Sequence, residues 1–240
     1  MVVKQSDINQ ILSTRNGKIH KSIISLILSS GMTPQFVRHL TLNQLLDSCK
    51  HYEGFDGQPT LDELLDSGLE CENFIPCFDI GTAKSPRITC CTPEALHLIL
   101  DYIDRYREVS FNSNDEPIFL NSDHTPLTKH YVSDKLGEMN KEVGRGHRKY
   151  GFSRVTASGL VARFKDICER YLEGDFAEEA IDLMKGSSSA RNRRFYNEVC
   201  NDRDILINHY RSISDCLYLM PNPIIVERRR NRLNYTTNRY

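Results

Sequence analysis

Tyr196 closes the densest run of chemistry-bearing residues in the chain. The stretch Lys185-Gly186-Ser187-Ser188-Ser189-Ala190-Arg191-Asn192-Arg193-Arg194-Phe195-Tyr196 is a glycine-led polar turn followed by arginines and a phenol. Arginine forks grip phosphate oxygens two at a time. A tyrosine hydroxyl acts as a nucleophile only where neighbouring groups neutralise the charge it transfers. These residue types are those of phosphate chemistry. Upstream, Arg145, Arg148, Lys149 and Arg154 form a second basic segment, and Arg228, Arg229, Arg230 and Arg232 a third, with Tyr235 and Tyr240 interleaved. Arginine-rich arms with tyrosines suit phosphate backbones and exposed bases. None of the eight histidines has His-x-x-x-His spacing and none of the eight cysteines forms a Cys-x-x-Cys pair, so neither a metal site nor a cofactor is expected.

The charge distribution agrees. The net charge of −1 conceals a polarity: residues 141–240 carry 19 Lys/Arg against 13 Asp/Glu, and residues 1–140 carry 12 against 19. A basic C-terminal half is what a phosphate-binding surface needs, although solvated helix faces produce the same count. With 240 residues, 39% of them hydrophobic, the chain can bury one large core or two small ones. Its longest apolar run, near Ile23 to Leu28, is far too short to span a bilayer. No basic-then-apolar leader is visible, and the unpaired pattern of cysteines suits a reducing cytoplasm.

The elements that must position these residues are legible from caps and periodicity. A short helix begins at Ser6-Asp7. Lys18 to Ser30 carries apolar residues at helical spacing through Ile19, Ile23, Ile24, Ile27 and Leu28, and Gly31 ends it. Thr41-x-x-Gln44 and Thr60-x-x-Glu63 are capping boxes that open two further helices. The β-prone runs Phe74 to Ile80 and Arg87 to Cys91 flank the polar turn Gly81 to Pro86, which predicts a hairpin with Lys84 at its tip. Thr92-Pro93-Glu94 starts a helix with Leu96, Ile99, Leu100 and Ile103 on one stripe. Pro117 to Leu120 is extended, Leu127 to Val143 a helix, and Val155 to Leu219 three or four helices broken at Gly174 and Gly186. The expected fold is mostly α with a small antiparallel β-sheet (α+β), the sheet three-stranded.

This order of elements resembles the catalytic domain of the tyrosine recombinases, or phage integrases. Leu26-Ile27-Leu28-Ser29-Ser30-Gly31-Met32 is similar to that family's "LLLSTGLR" segment, Val37 to Leu40 to the helix that follows it, and Phe119-Leu120 through Leu127-Thr128 to its "lF…pls" segment. Ser29 to Met32, Ile75-Pro76 before the hairpin, and Thr89-Cys90-Cys91-Thr92-Pro93-Glu94-Ala95 look most like integrase-like proteins of archaea and their viruses. The resemblance covers residues 5 to 220. It implies a catalytic-type domain over 1–220 followed by a basic, disordered tail over 221–240.

The resemblance also implies roles. In the family a tyrosine attacks a DNA phosphate, two arginines and one or two histidines balance the pentavalent charge, and a lysine at the hairpin tip protonates the leaving oxygen. Carried over, Tyr196 stands at the nucleophile and Lys84 at the lysine. Thr33 stands where the first arginine belongs and Ser187 where the histidine of the glycine turn belongs. In one register of the His-x-x-Arg segment Ser158 and Val161 replace both residues, and in another, shifted by two, Leu160 and Arg163 do, which recovers an arginine. Four positions of the set are substituted in the first register and three in the second, and each lost donor to a developing oxyanion costs roughly 10²–10³ in rate.

Three functions follow. The first in rank is a DNA-binding, recombinase-like protein, catalytically degenerate, that contacts duplex DNA through Arg145, Arg148, Lys149, Arg154, Arg191, Arg193, Arg194 and the arginine tail. The second is an active recombinase forming a 3′-phosphotyrosyl link through Tyr196. The third is a helical protein-interaction module. In either of the first two, other recombinase protomers would dock on the C-terminal segment from Asp202 to Leu219.

Overall fold

The computed structural model describes residues 2–52, 54–67, 74–81, 85–107, 109–146, 153–174, 177–186 and 190–219. The hydrophobic helix expected over Lys18 to Ser30 is divided at His20, which leaves helical geometry at φ −100°, ψ 19°. What remains is α1 (Gln5–Leu12), α2 (Arg15–Ile19) and α3 (Lys21–Ser30). Every residue of α3 from Ser22 to Ser30 is buried, because the other helices surround it on all sides. Its end is fixed by Gly31 at φ 63°, a left-handed cap that favours glycine. A Cβ there would lie 2.3 Å from the Phe164 ring, so the glycine is needed for space as well.

The capping signals act as read. In α5 (Leu42–Cys49) Thr41 and Gln44 exchange hydrogen bonds, and before α6 (Leu61–Ser67) Thr60 and Glu63 do the same. Between these lies the turn 54–58, and ahead of them α4 (Pro34–His39), with Pro34 in its first turn. Thr92 caps α7 (Pro93–Arg105) through the Ala95 amide at 3.2 Å. The helix expected from Leu127 is α8 (Tyr131–Gly146), starting four residues later. The C-terminal region gives α9 (Ala157–Tyr171), α10 (Ala177–Lys185), α11 (Ala190–Asn201) and α12 (Asp204–Ser214). Gly174 and Gly186 both adopt positive φ between them.

Among the described residues the sheet has two strands rather than three, β1 (Cys77–Asp79) and β2 (Ile88–Cys90), paired antiparallel with Cys77 opposite Cys90. The Pro117 to Leu120 segment makes only isolated bridges, Thr41 with Pro117 and Leu120 with Pro126. Both bridges involve a proline, which has no N–H to extend a ladder. The hairpin tip, residues 82–84 with Lys84, lies outside the described residues.

The hairpin separates two hydrophobic cores. Phe78 packs with α3, α5 and α7, whereas Cys77, Ile88 and Cys90 on the opposite face pack with α9 to α12. This is the alternation of a strand used on both sides. Thr89 on β2 donates to the Ser30 carbonyl at 2.6 Å, tying the partition to the end of α3. The ends of the described chain also meet: Arg163 donates to Val3 O at 3.0 Å, Gln5 Nε2 to Leu219 O, and the Leu219 amide to Glu94 Oε2 at 2.7 Å. Among the described residues no helix is long and apolar enough to cross a membrane.

Candidate functional site

A cleft of about 570 Å³ opens between the start of α4, α8 and the start of α9. Its position follows from local rules. Pro34 occupies the first turn of α4 and leaves Thr33 extended at φ −74°, ψ 157°, just ahead of the helix. Across the cleft Thr156 caps α9 by accepting from the Gly159 amide at 3.1 Å. The approach to that cap is held by Asn140 of α8, which donates to Val155 O at 2.7 Å and accepts from Val155 N at 2.9 Å. That paired bond imitates a strand ladder and fixes Arg154 and Val155 beside α8.

Three of the sequence-derived positions converge here. Thr33, Ser158 and Val161 all line the cleft, with Leu136 in its apolar wall. Arg154 and Lys165 line it too; both side chains are exposed, and neither forms an ion pair among the described residues. Arg163 faces elsewhere. Its guanidinium donates to Val3 O and, at 2.9 Å, to Gln5 Oε1, and burial lowers its pKa. Leu160, the other residue of that register, is fully buried.

Tyr196 lies apart from the cleft lining. Phe195 and Val199, buried at its sides, seat α11 in the C-terminal core, so Tyr196 turns toward β1. Its hydroxyl donates to Asp79 Oδ2 at 2.7 Å. The hydrogen bond to the Asp79 carboxylate, helped by partial burial and by Cys200, raises the phenol well above its ordinary value. The Arg203 guanidinium, itself 9% exposed, approaches the same carboxylate oxygen at 3.9 Å. Tyr210, fourteen residues further along the chain, is fully buried and its hydroxyl donates to Ser29 O at 2.7 Å.

Of the remaining basic positions, Arg193 and Arg194 are exposed on α11, where Arg194 pairs with Glu198 at 3.2 Å. Arg145 belongs to the last turn of α8 and Arg191 to the first turn of α11, with side chains outside the described residues. Ser187, Arg148, Lys149, Arg228, Arg229, Arg230 and Arg232 also lie outside them, as does the 221–240 tail. No cluster of His, Cys, Asp or Glu suited to a metal occurs among the described residues.

Sequence reasoning missed Arg87, whose Nε donates to Met184 O and Nη2 to Gly31 O, both at 2.8 Å, so that it joins the ends of α10 and α3. It missed Asp79 and Arg203 as the surroundings of Tyr196, and Lys165 as a cation of the cleft. Only Asp79 carried a signal: a carboxylate within a β-prone run is out of place unless a partner receives it.

No protein-family model matches the chain, and no curated protein matches it. Solved structures do. The Tn1549 transposon integrase in complex with circular intermediate DNA superposes with a TM-score of 0.52 at 14% identity, over 82% of this chain and 60% of that one. A single-residue variant of that integrase in complex with transposon right end DNA gives 0.55 at 12% identity, over 86% and 66%. The chain thus spans less than two thirds of the length of these integrases. The fold, mostly helical with a small antiparallel sheet, is the one this chain shares with these transposon integrases.

Proposed function

We propose that this protein is a recombinase-like DNA-binding protein of the cytoplasm that grips duplex DNA without cleaving it. The observation that carries this reading is the convergence of Thr33, Ser158 and Val161 on one cleft with two cations, Arg154 and Lys165, at positions where the resemblance implies the phosphate-binding set. Small neutral side chains at those three positions can hold no pentavalent phosphate, while the cations still attract a phosphodiester in its ground state. Tyr196 supports the same conclusion, since its hydroxyl already donates to Asp79 and holds its proton more tightly than a free phenol. The arginine tail and the 145–154 segment would add contacts to the backbone, and the likeness to integrases solved with DNA supports duplex as the partner. Docking of further protomers on the C-terminal helices belongs to the same proposal.

Fluorescence anisotropy on a labelled duplex tests it. With six or so phosphate contacts, affinity should fall about a thousandfold between 50 and 200 mM salt. Absence of any salt-sensitive binding by the intact chain excludes the DNA-binding function. A nicked suicide substrate tests the second half: no covalent adduct is expected. An adduct that Tyr196→Phe abolishes would instead make this a working recombinase with a reorganised site.

A further inference from the structure

We infer that the cleft between α4, α8 and α9 is a pocket for a single unpaired nucleotide, with the base against its apolar wall and the phosphate between Arg154 and Lys165. This names the ligand of the cleft on which the DNA-binding reading rests, and goes beyond it, since a duplex backbone needs cations but no pocket.

Size is the first ground. About 570 Å³ falls within the range of clefts that enclose small molecules, roughly 300–1,000 Å³. It has room for one nucleotide and none for a paired helix. Composition is the second. Its accessible apolar lining comes from Pro34, Val161 and Ala162, with the buried Leu136 and Val155 behind them. Another carries hydroxyls, Thr33 and Ser158 among them, and the described residues that line it include no carboxylate. Inorganic phosphate would leave the apolar part unused, and an uncharged ring would leave both cations unanswered. A nucleotide satisfies both, with a flat apolar face and a phosphate on one ligand. The third ground is what the substitutions do to the space. Thr33, Ser158 and Val161 are each smaller than the arginine or histidine that the resemblance implies, so the same changes that remove catalytic cations leave the volume open.

Two sources share this chemistry, a free mononucleotide and an unpaired nucleotide of a DNA strand. The intact protein would be titrated with thymidine 5′-monophosphate, with thymidine, with inorganic phosphate, and with two labelled duplexes that differ only in a short unpaired overhang. The inference requires saturable binding of the monophosphate that exceeds both thymidine and phosphate, or an overhang duplex that binds at least about tenfold more tightly than the blunt one, a difference within the reach of one charge-assisted contact. The first outcome identifies a free nucleotide and the second a strand. Replacing Arg154 and Lys165 together by Ser should remove the effect. So should the plug Gly137→Leu, since a Cβ at Gly137 meets only Arg154 Nη2, at 4.0 Å. Ser158→Phe on the exposed first turn of α9 is an independent plug, and an unchanged melting temperature certifies each fold. The inference is overturned if neither the monophosphate nor the overhang gains anything over its control, or if two folded plugs leave the gain intact. Salt-sensitive binding of the blunt duplex, measured in parallel, survives such a failure. Conversely, monophosphate binding without duplex binding would retain the pocket and remove the duplex.

Discussion

Asp79 and Tyr196 face each other across 117 residues of sequence, and the bond between them sets the proton affinity of the phenol. Replacing the acceptor by Asp79→Asn removes the negative charge that stabilises the protonated hydroxyl, so the Tyr196 titration should move down toward the ordinary value of 10.0. Ultraviolet difference titration against a Tyr196→Phe control reads the shift, and an unchanged curve would show that Asp79 does not hold the proton. A second titration concerns His20, whose pKa is pushed down to about 4 by burial, with Lys135 adding to the effect. The unfolded chain binds the proton more readily, so stability should decline as pH falls from about 6.5 toward 4. The loss is at most roughly 3 kcal/mol. Urea melts of wild type and His20→Gln across that window check it, and the variant should lack the decline. At this scale the sequence made residue types legible but not partners. Thr33, Ser158 and Val161 were locatable because they follow local landmarks, the Ser30-Gly31 end of a helix and a Thr-capped helix start. Arg203 and Lys165 were not, and Asp79 was marked only as a carboxylate out of place in a β-prone run, because what each meets is decided by how distant helices pack.

Caps and turn residues carried most of the information about elements. Thr41, Thr60 and Thr92 announce their helices because each satisfies an amide that would otherwise lack a partner. The division at His20 left no such mark, since apolar periodicity continues through it, and the third strand failed to form because Pro117 and Pro126 cannot serve a ladder. Gly31 is the element-scale position with the strongest constraint. Its φ of 63° disfavours any side chain, and a Cβ would press into Phe164. Gly31→Ala should therefore cost about 2–4 kcal/mol, the sum of left-handed strain and overpacking. A lowered urea midpoint measures this, and a loss below about 0.5 kcal/mol would show that the end of α3 relaxes freely.

For the molecule as a whole, sequence predicted the fold class and the order of elements, whereas the presence of two cores on either side of a two-stranded partition appears only in three dimensions. The partition uses both faces of its strands, and that pattern reads in sequence simply as a buried run. The joining of the two ends was equally invisible, since Val3, Gln5, Arg163, Glu94 and Leu219 carry no local signal. That joining has a topological consequence. Because Gln5 is hydrogen-bonded to Leu219, and Val3 packs in the same core as Leu219, the described chain is nearly a ring, and its point of opening is arbitrary as far as packing is concerned. A circular permutant that links Leu219 to Val3 through a short glycine-serine bridge and opens at Gly57, an exposed turn position with nothing within 4 Å of a built Cβ, should keep the wild-type far-ultraviolet spectrum and a cooperative melt. Loss of cooperativity in that permutant would mean that the order of synthesis, and not only the set of contacts, holds the two cores together.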